Sequence, residues 1–174
     1  TKYQSGNDVI DAGAGSDLVY SGDGNDAIDG GDGNDLLIGG HDNDVVEGGA
    51  GDDLILGDIV YFDTQIQSTR YGGTASLPQA PNVYANGALE QFSLQAIAGS
   101  NANGNDVLSG GMGNDVILGM GGDDNIAGGD GDDILHGDEQ IVDRAGGIAG
   151  NDEIDGGAGI DTIYGGAGND KLSG

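Results

Sequence analysis

An aspartate and an aliphatic residue return together every nine positions along most of this chain, and that register decides what the chain can fold into. The units SGDGNDAID from Ser21, GGDGNDLLI from Gly30, GGHDNDVVE from Gly39 and GGAGDDLIL from Gly48 stand in one frame. The sixth place holds Asp8, Asp17, Asp26, Asp35, Asp44 and Asp53, then Asp106, Asp115, Asp124 and Asp133, then Asp152, Asp161 and Asp170. The eighth place holds Ile10, Val19, Ile28, Leu37, Val46 and Ile55, then Leu108, Ile117, Ile126, Leu135, Ile154, Ile163 and Leu172, and none of these is polar.

Each unit has two parts. The glycine-rich places supply a turn, because glycine reaches backbone conformations that other residues avoid. The last three places suffice for a short strand with its middle side chain on one face. Two units then close a flattened coil of 18 residues, and successive coils pair as two parallel sheets with the eighth-place aliphatics inside. The sixth-place aspartates fall into two columns, Asp8, Asp26 and Asp44 in one and Asp17, Asp35 and Asp53 in the other, with neighbours about 4.8 Å apart.

Composition sharpens the problem. With 31 acidic against 4 basic residues, 39 glycines and a net charge of -27, the chain has the makeup of a disordered tail. A disordered tail has no reason to keep a nine-residue register. The chain has no cysteine, so no disulfide closes it. Its charge repels nucleic acid and anionic membrane and favours cations. No stretch approaches the roughly 20 apolar residues of a membrane helix. Carboxylates stacked this closely repel unless a hard divalent cation lies between them. Calcium suits the columns best, because it takes 6–8 oxygens of mixed origin in irregular geometry. Magnesium wants a strict octahedron, and zinc wants His or Cys.

These units resemble the nonapeptide GGxGxDxUx of the RTX, or haemolysin-type calcium-binding, family over about two thirds of the chain. The resemblance implies a right-handed parallel β-roll with calcium ions in its turns, and roughly eight to ten divalent ions would offset most of the net charge of -27. It also implies a fragment of a larger bacterial protein, a toxin or an adhesin, exported by type I secretion and working outside the cell beside flanking domains. Carried over unit by unit, the sixth-place aspartates are the side-chain ligands. Gly31, Gly33, Gly49, Gly51, Gly111, Gly113, Gly129, Gly131, Gly157 and Gly159 offer carbonyls. Three departures stand out: Asp42 where the fourth-place glycine belongs, Ile160 in the fifth place, and looser units around Ser16 and Ser21.

The repeats form two blocks, residues 1–58 and 99–174, around a non-repeat insert at 59–98. GDDLILGD before the insert resembles GDDILHGD before an irregular turn at 137–146. Asp58 and Asp138 follow the last regular glycine of each, and each is expected either to complete a terminal metal site or to stand as a solvated turn aspartate. The frame slips by one residue across the irregular turn, which a β-bulge would absorb. In the insert, Asn86 to Ala98 reads as an amphipathic helix capped by Asn86. Places seven and nine make one outer face apolar (Leu18, Tyr20, Leu36, Ile38, Leu54, Leu56, Val116, Leu118, Ile134) and the other mixed. Such a stripe calls for a cover, which the insert, the partner block or a flanking domain would supply.

No GxSxG, HExxH or cysteine nucleophile is present, and His41 and His136 fall in variable repeat places, so no enzymatic activity is expected. Arg70 and Arg144 sit in irregular stretches, where local ion pairing is the ordinary role. Two functions remain open. One is a calcium-dependent folding module of a secreted protein. The other is an adhesive or carbohydrate-binding module that uses Tyr61, Tyr71, Tyr84 and Phe92 of the insert on a glycan or cell surface.

Overall fold

Repeats of this kind bury little side chain per residue, so the backbone ladders between coils must be extensive. The computed structural model describes residues 4–58, 104–138 and 150–174. It contains β1 (Gln4–Ser5), β2 (Val9–Asp11), β3 (Leu18–Asp23), β4 (Ala27–Asp32), β5 (Leu36–His41), β6 (Val45–Ala50), β7 (Leu54–Asp58), β8 (Val107–Met112), β9 (Val116–Met120), β10 (Asn125–Asp130), β11 (Ile134–Asp138), β12 (Glu153–Ala158), β13 (Thr162–Tyr164) and β14 (Lys171–Ser173). Among the described residues there is no helix.

Alternate strands go to alternate sheets. One sheet runs β1-β3-β5-β7-β9-β11-β13 and the other β14-β12-β10-β8-β6-β4-β2. Pairing is parallel, with eighth-place residues opposite one another: Ile28 faces Val46, and Leu37 faces Ile55. This is the two-sheet parallel roll that the 18-residue period predicts. Most strands are longer than the expected three residues. β5 continues through its glycine pair to His41, because Gly22 and Gly40 still face each other across the ladder.

The two repeat blocks share both sheets. β6 pairs with β8 and β7 with β9, so the coils run on across the 59–103 interval as a single roll. The partner block therefore extends the outer apolar face and does not cover it. The frame slip at the second interruption puts no bulge into the sheets either. Ile126 faces Ile154 and Leu135 faces Ile163, in the same register as elsewhere. Asp138 and Gly150, on either side of the interval, belong to one turn.

Two apolar clusters result. The inner one is the eighth-place ladder: Val19, Ile28, Leu37, Val46, Ile55, Leu108, Ile117, Ile126, Leu135 and Ile154 are buried, and Ile10 and Ile163 flank them. Leu172, in the last coil, is 49 % exposed. The outer one lies on the β5-β7-β9 face and comprises Leu36, Ile38, Leu54, Leu56, Val116, Leu118 and Met120, all buried, with Tyr20 and Ile134 beside them. On the opposite outer face Val9, Val45 and Val107 are exposed. The expected helix from Asn86, the insert aromatics Tyr61, Tyr71, Tyr84 and Phe92, and Arg70 and Arg144 all lie outside the described residues.

Candidate metal centre

The turns begin with backbone that only glycine adopts readily. Gly31, Gly49, Gly111, Gly129 and Gly157 in the second place, and Gly33, Gly51, Gly113, Gly131 and Gly159 in the fourth, all have positive φ. At each of them a Cβ would collide with the carbonyl of the matching glycine one coil back. These ten glycines stack along one edge of the roll. A second stack on the other edge, absent from the sequence reading, comprises Gly22, Gly24, Gly40, Gly104, Gly122, Gly150, Gly166 and Gly168. Its pattern is harder to read because Asp42 and Met120 interrupt it. Both adopt positive φ, 75° and 88°, and so keep the turn path that glycine would take. The expected irregularity at Asp42 is thus one of side chain and not of backbone.

The sixth-place aspartates form two continuous ladders. In one, the amides of Asp8, Asp26, Asp44, Asp106, Asp124 and Asp152 donate to the Oδ1 atoms of Asp26, Asp44, Asp106, Asp124, Asp152 and Asp170. In the other, the amides of Asp17, Asp35, Asp53, Asp115 and Asp133 donate to Asp35, Asp53, Asp115, Asp133 and Asp161. These bonds are 2.8–3.1 Å long. A fifth-place ladder runs the opposite way: the Asn43 amide donates to Asn25, that of Asn105 to Asn43 and that of Asp123 to Asn105. Ile160 needs no acceptor of its own to join the matching ladder, because its amide donates to Asp132 at 2.9 Å.

One oxygen of each carboxylate is thereby used, and the other is left over. Oδ2 of Asp17, Asp26, Asp35, Asp44, Asp53, Asp106, Asp115, Asp124, Asp133 and Asp152 is buried with no hydrogen-bond partner. For Asp35, Asp44, Asp53, Asp106, Asp115, Asp124, Asp133 and Asp152, burial is the main reason the carboxyl resists ionising. It outweighs the amide of the preceding coil, and like charge from the neighbouring aspartates adds to it. Asp44, Asp106, Asp115 and Asp124 are pushed up to about 7, and Asp53 and Asp152 to about 6. Asp35 and Asp133 are raised for the same first reason. Beside the orphaned oxygens of Asp35, Asp44, Asp53, Asp106, Asp115, Asp124, Asp133 and Asp152 lies a carbonyl of the next coil. A Cβ on Gly30 would fall 2.7 Å from Asp35 Oδ2 and 2.5 Å from the Gly48 oxygen, and one on Gly48 would fall 2.5 and 2.6 Å from Asp53 Oδ2 and the Gly110 oxygen. First-place glycine thus leaves room for carboxylate and carbonyl to approach each other. These first-place carbonyls are a further set that the sequence reading missed.

A buried carboxylate oxygen without a partner, next to a carbonyl, is the donor set of a hard cation, and calcium accepts both types. Among the described residues no three His, Asp or Glu side chains are grouped to hold a metal ion by themselves. A turn site here would draw on backbone oxygen as well.

Asp58 and Asp138 occupy the second place of two interrupted turns. Gly57 and Asp58 continue at Gly104, Asn105 and Asp106, and Gly137 and Asp138 continue at Gly150, Asn151 and Asp152. In both cases the first-place glycine lies against the sixth-place Oδ2, as in an unbroken unit. Neither aspartate is solvated, at 1 % and 5 % exposed, and Asp58 stands in the middle of the roll, with coils on either side, not at an end. The Oδ1 of Asp58 accepts the Gly104 amide at 3.1 Å, and that of Asp138 accepts the Gly150 amide at 3.0 Å. Burial, then the charge of Asp106, pushes Asp58 up to about 9.

Of the two histidines, His136 stacks on Tyr164 with ring centroids 4.6 Å apart, and burial lowers its pKa. His41 lies 3.9 Å from Asp23. Neither lies in an aspartate ladder.

A family model of the RTX calcium-binding nonapeptide repeat matches this chain in four copies, at residues 4–37, 29–59, 109–140 and 146–174, which is well over half its length. No curated protein matches the chain.

Proposed function

The chain belongs to the RTX calcium-binding nonapeptide-repeat family and is a calcium-binding β-roll, and from that premise we propose that it is a module whose folding waits for calcium outside the cell. The observation that carries this reading is the set of ten sixth-place Oδ2 atoms, buried and without partners. The sixth-place aspartates of both ladders, the glycine carbonyls of both turn edges and the seam aspartate Asp58 are the proposed ligands. Ten orphaned oxygens accord with about eight to ten ions. When bound, calcium supplies positive charge and oxygen coordination between the coils.

The chain's own residues supply the switch. Without calcium, the ladders place like charges one strand spacing apart, and 39 glycines oppose ordering. Both favour an extended chain, which suits export through a narrow channel. Extracellular calcium is near the affinity range of extracellular modules, about 0.1–1 mM, and a ligand that binds only the folded state adds its free energy to stability. Type I secretion from a bacterium and flanking domains in a longer protein follow from this reading.

The test is far-UV circular dichroism during a calcium titration, with calorimetry for stoichiometry and magnesium as control. A cooperative coil-to-β transition at sub-millimolar to millimolar calcium, with several ions bound, supports the proposal. A roll fully formed in EGTA overturns it.

A further inference from the structure

The two interrupted turns are built alike and finished differently. Asp58 and Asp138 both stand where ordinary units have glycine. Neither takes the left-handed backbone of that glycine. Each accepts the fourth-place amide of its own turn, from 46 residues away at Gly104 and from 12 residues away at Gly150. Each is therefore a clasp that holds the two ends of an interruption together.

The second oxygen distinguishes them. Oδ2 of Asp138 accepts the Ala167 amide of the next turn at 2.7 Å, so both of its oxygens are satisfied. Oδ2 of Asp58 is buried and has no hydrogen-bond partner, although the Gly121 amide of the next turn also acts on this carboxylate. The like charges that act on it are those of Asp106 and, more weakly, Asp124, and both of these also have an orphaned Oδ2. Among the described residues the one Lys or Arg is Lys171, which pairs with Glu153. No described side chain therefore offsets the charge at Asp58. A buried, unpaired carboxylate beside another is tolerated only with a proton or a cation.

We infer that the first interrupted turn is a cation site unlike the other turns of this roll, in which Asp58 adds its carboxylate to that of Asp106. The second is a hydrogen-bonded clasp in which Asp138 takes no ion. The inference rests on the calcium reading above and makes that reading uneven. The turn at Asp58 has two buried carboxylates with an orphaned oxygen where an ordinary turn has one, so it is the tightest site and the first to load. Loading it ties Gly104 to Asp58 and fixes the register of every later coil.

Calorimetric calcium titration of the whole chain tests this, with circular dichroism at saturating calcium on the same samples. Asp58→Asn keeps the Oδ1 acceptor and removes the charge. Asp58→Gly restores the ordinary second-place residue and serves if the first variant does not fold. Asp138→Asn is the control. The expected result is that either Asp58 variant weakens the tightest calcium class about tenfold, while Asp138→Asn leaves every calcium affinity and the stoichiometry unchanged. Asp58 variants with wild-type affinities, or an Asp138 variant that loses an ion, would overturn the inference while the calcium reading stands. A wild-type chain that binds no calcium would overturn both.

Discussion

The amide of Asp44 donates to Oδ1 of Asp106 at 2.8 Å although 62 residues separate them, and the same bond joins Asp26 to Asp44 at 2.9 Å over 18 residues. The roll does not distinguish a neighbour one coil on from a neighbour beyond an interruption. Val107 likewise donates to the Asp44 carbonyl, and Val116 to the Asp53 carbonyl. Stability here is passed from coil to coil, as in other solenoids.

Acidity should substitute in part for calcium. Asp44, Asp106, Asp115 and Asp124 titrate at about 7 in the calcium-free roll, against 3.8 for an ordinary aspartate. Between these values the folded chain holds protons that the unfolded chain has released, so stability falls as pH rises. The contribution is complete below about pH 4 and is lost as pH rises through about 7. In EGTA, circular dichroism should show more β structure at pH 5 than at pH 8. Calcium added at pH 7 should release protons, seen as a calorimetric heat that depends on the buffer. A β signal that grows with pH in EGTA would contradict the assigned burial of these carboxylates.

The eighth-place ladder should be graded by position. Ile117 is fully buried with coils on both sides, whereas Leu172 in the last coil is half exposed. Ile117→Ala should cost about 2–4 kcal/mol in calcium, and Leu172→Ala less than about 1 kcal/mol. Denaturant titration of both variants at saturating calcium measures the difference. Equal costs would mean that the inner ladder is not the core.

How much of this was legible follows from geometry. A nine-residue register whose coils repeat at 18 fixes which side chains face inward, so Leu37 opposite Ile55 and Asp35 bonded to Asp53 could be read off by counting. The fate of the two blocks could not be counted, because the joining bonds, such as Asp58 to Gly104, depend on where the chain returns in space. The second glycine edge was missed because Asp42 and Met120 take a glycine conformation without being glycine. The first-place carbonyls were missed because what selects them is proximity to Oδ2, which the repeat pattern does not encode.

Glycine should be irreplaceable inside the stack and replaceable at its start. A Cβ at Gly113 would strike the Gly51 carbonyl, whereas at Gly15 nothing lies within 4 Å. Both have positive φ, so each alanine carries a backbone cost of about 1 kcal/mol. Gly113→Ala should add the collision to that and raise the calcium concentration needed for folding by a larger factor than Gly15→Ala does. Gly15→Ala should shift it by less than about sixfold, the equivalent of 1 kcal/mol. Similar shifts for the two would show that conformation, and not the carbonyl stack, sets the requirement.

The charge and the hydrogen bond of a ladder aspartate should separate on substitution. Asp115 accepts the Asp53 amide through Oδ1 and leaves Oδ2 orphaned. Asp115→Asn keeps the acceptor and removes the charge, so in EGTA it should relieve repulsion and favour the roll, while in calcium it should weaken binding. Asp115→Ala loses both and should be the less stable variant under either condition, by about 1–3 kcal/mol for the buried amide left unpaired. Chelator and calcium melts of the two variants decide this, and an Asn variant destabilised in EGTA would contradict the repulsion argument.

Closing the second interruption should leave the roll intact. Asp138 and Gly150 are already hydrogen-bonded at 3.0 Å, and the strands before and after keep register through Leu135 and Ile163. Replacing residues 139–149 with a single glycine would turn Gly137, Asp138 and Gly150 to Asp152 into an unbroken turn. A shorter loop costs less entropy to close, by about 0.6 kcal/mol for each halving, so the calcium-loaded protein should gain about 1–2 kcal/mol. Thermal melts in saturating calcium measure this gain. A shortened chain that loses its β signal would mean that the interruption itself supports the turn, and that the Asp138 clasp alone does not hold the two ends in register.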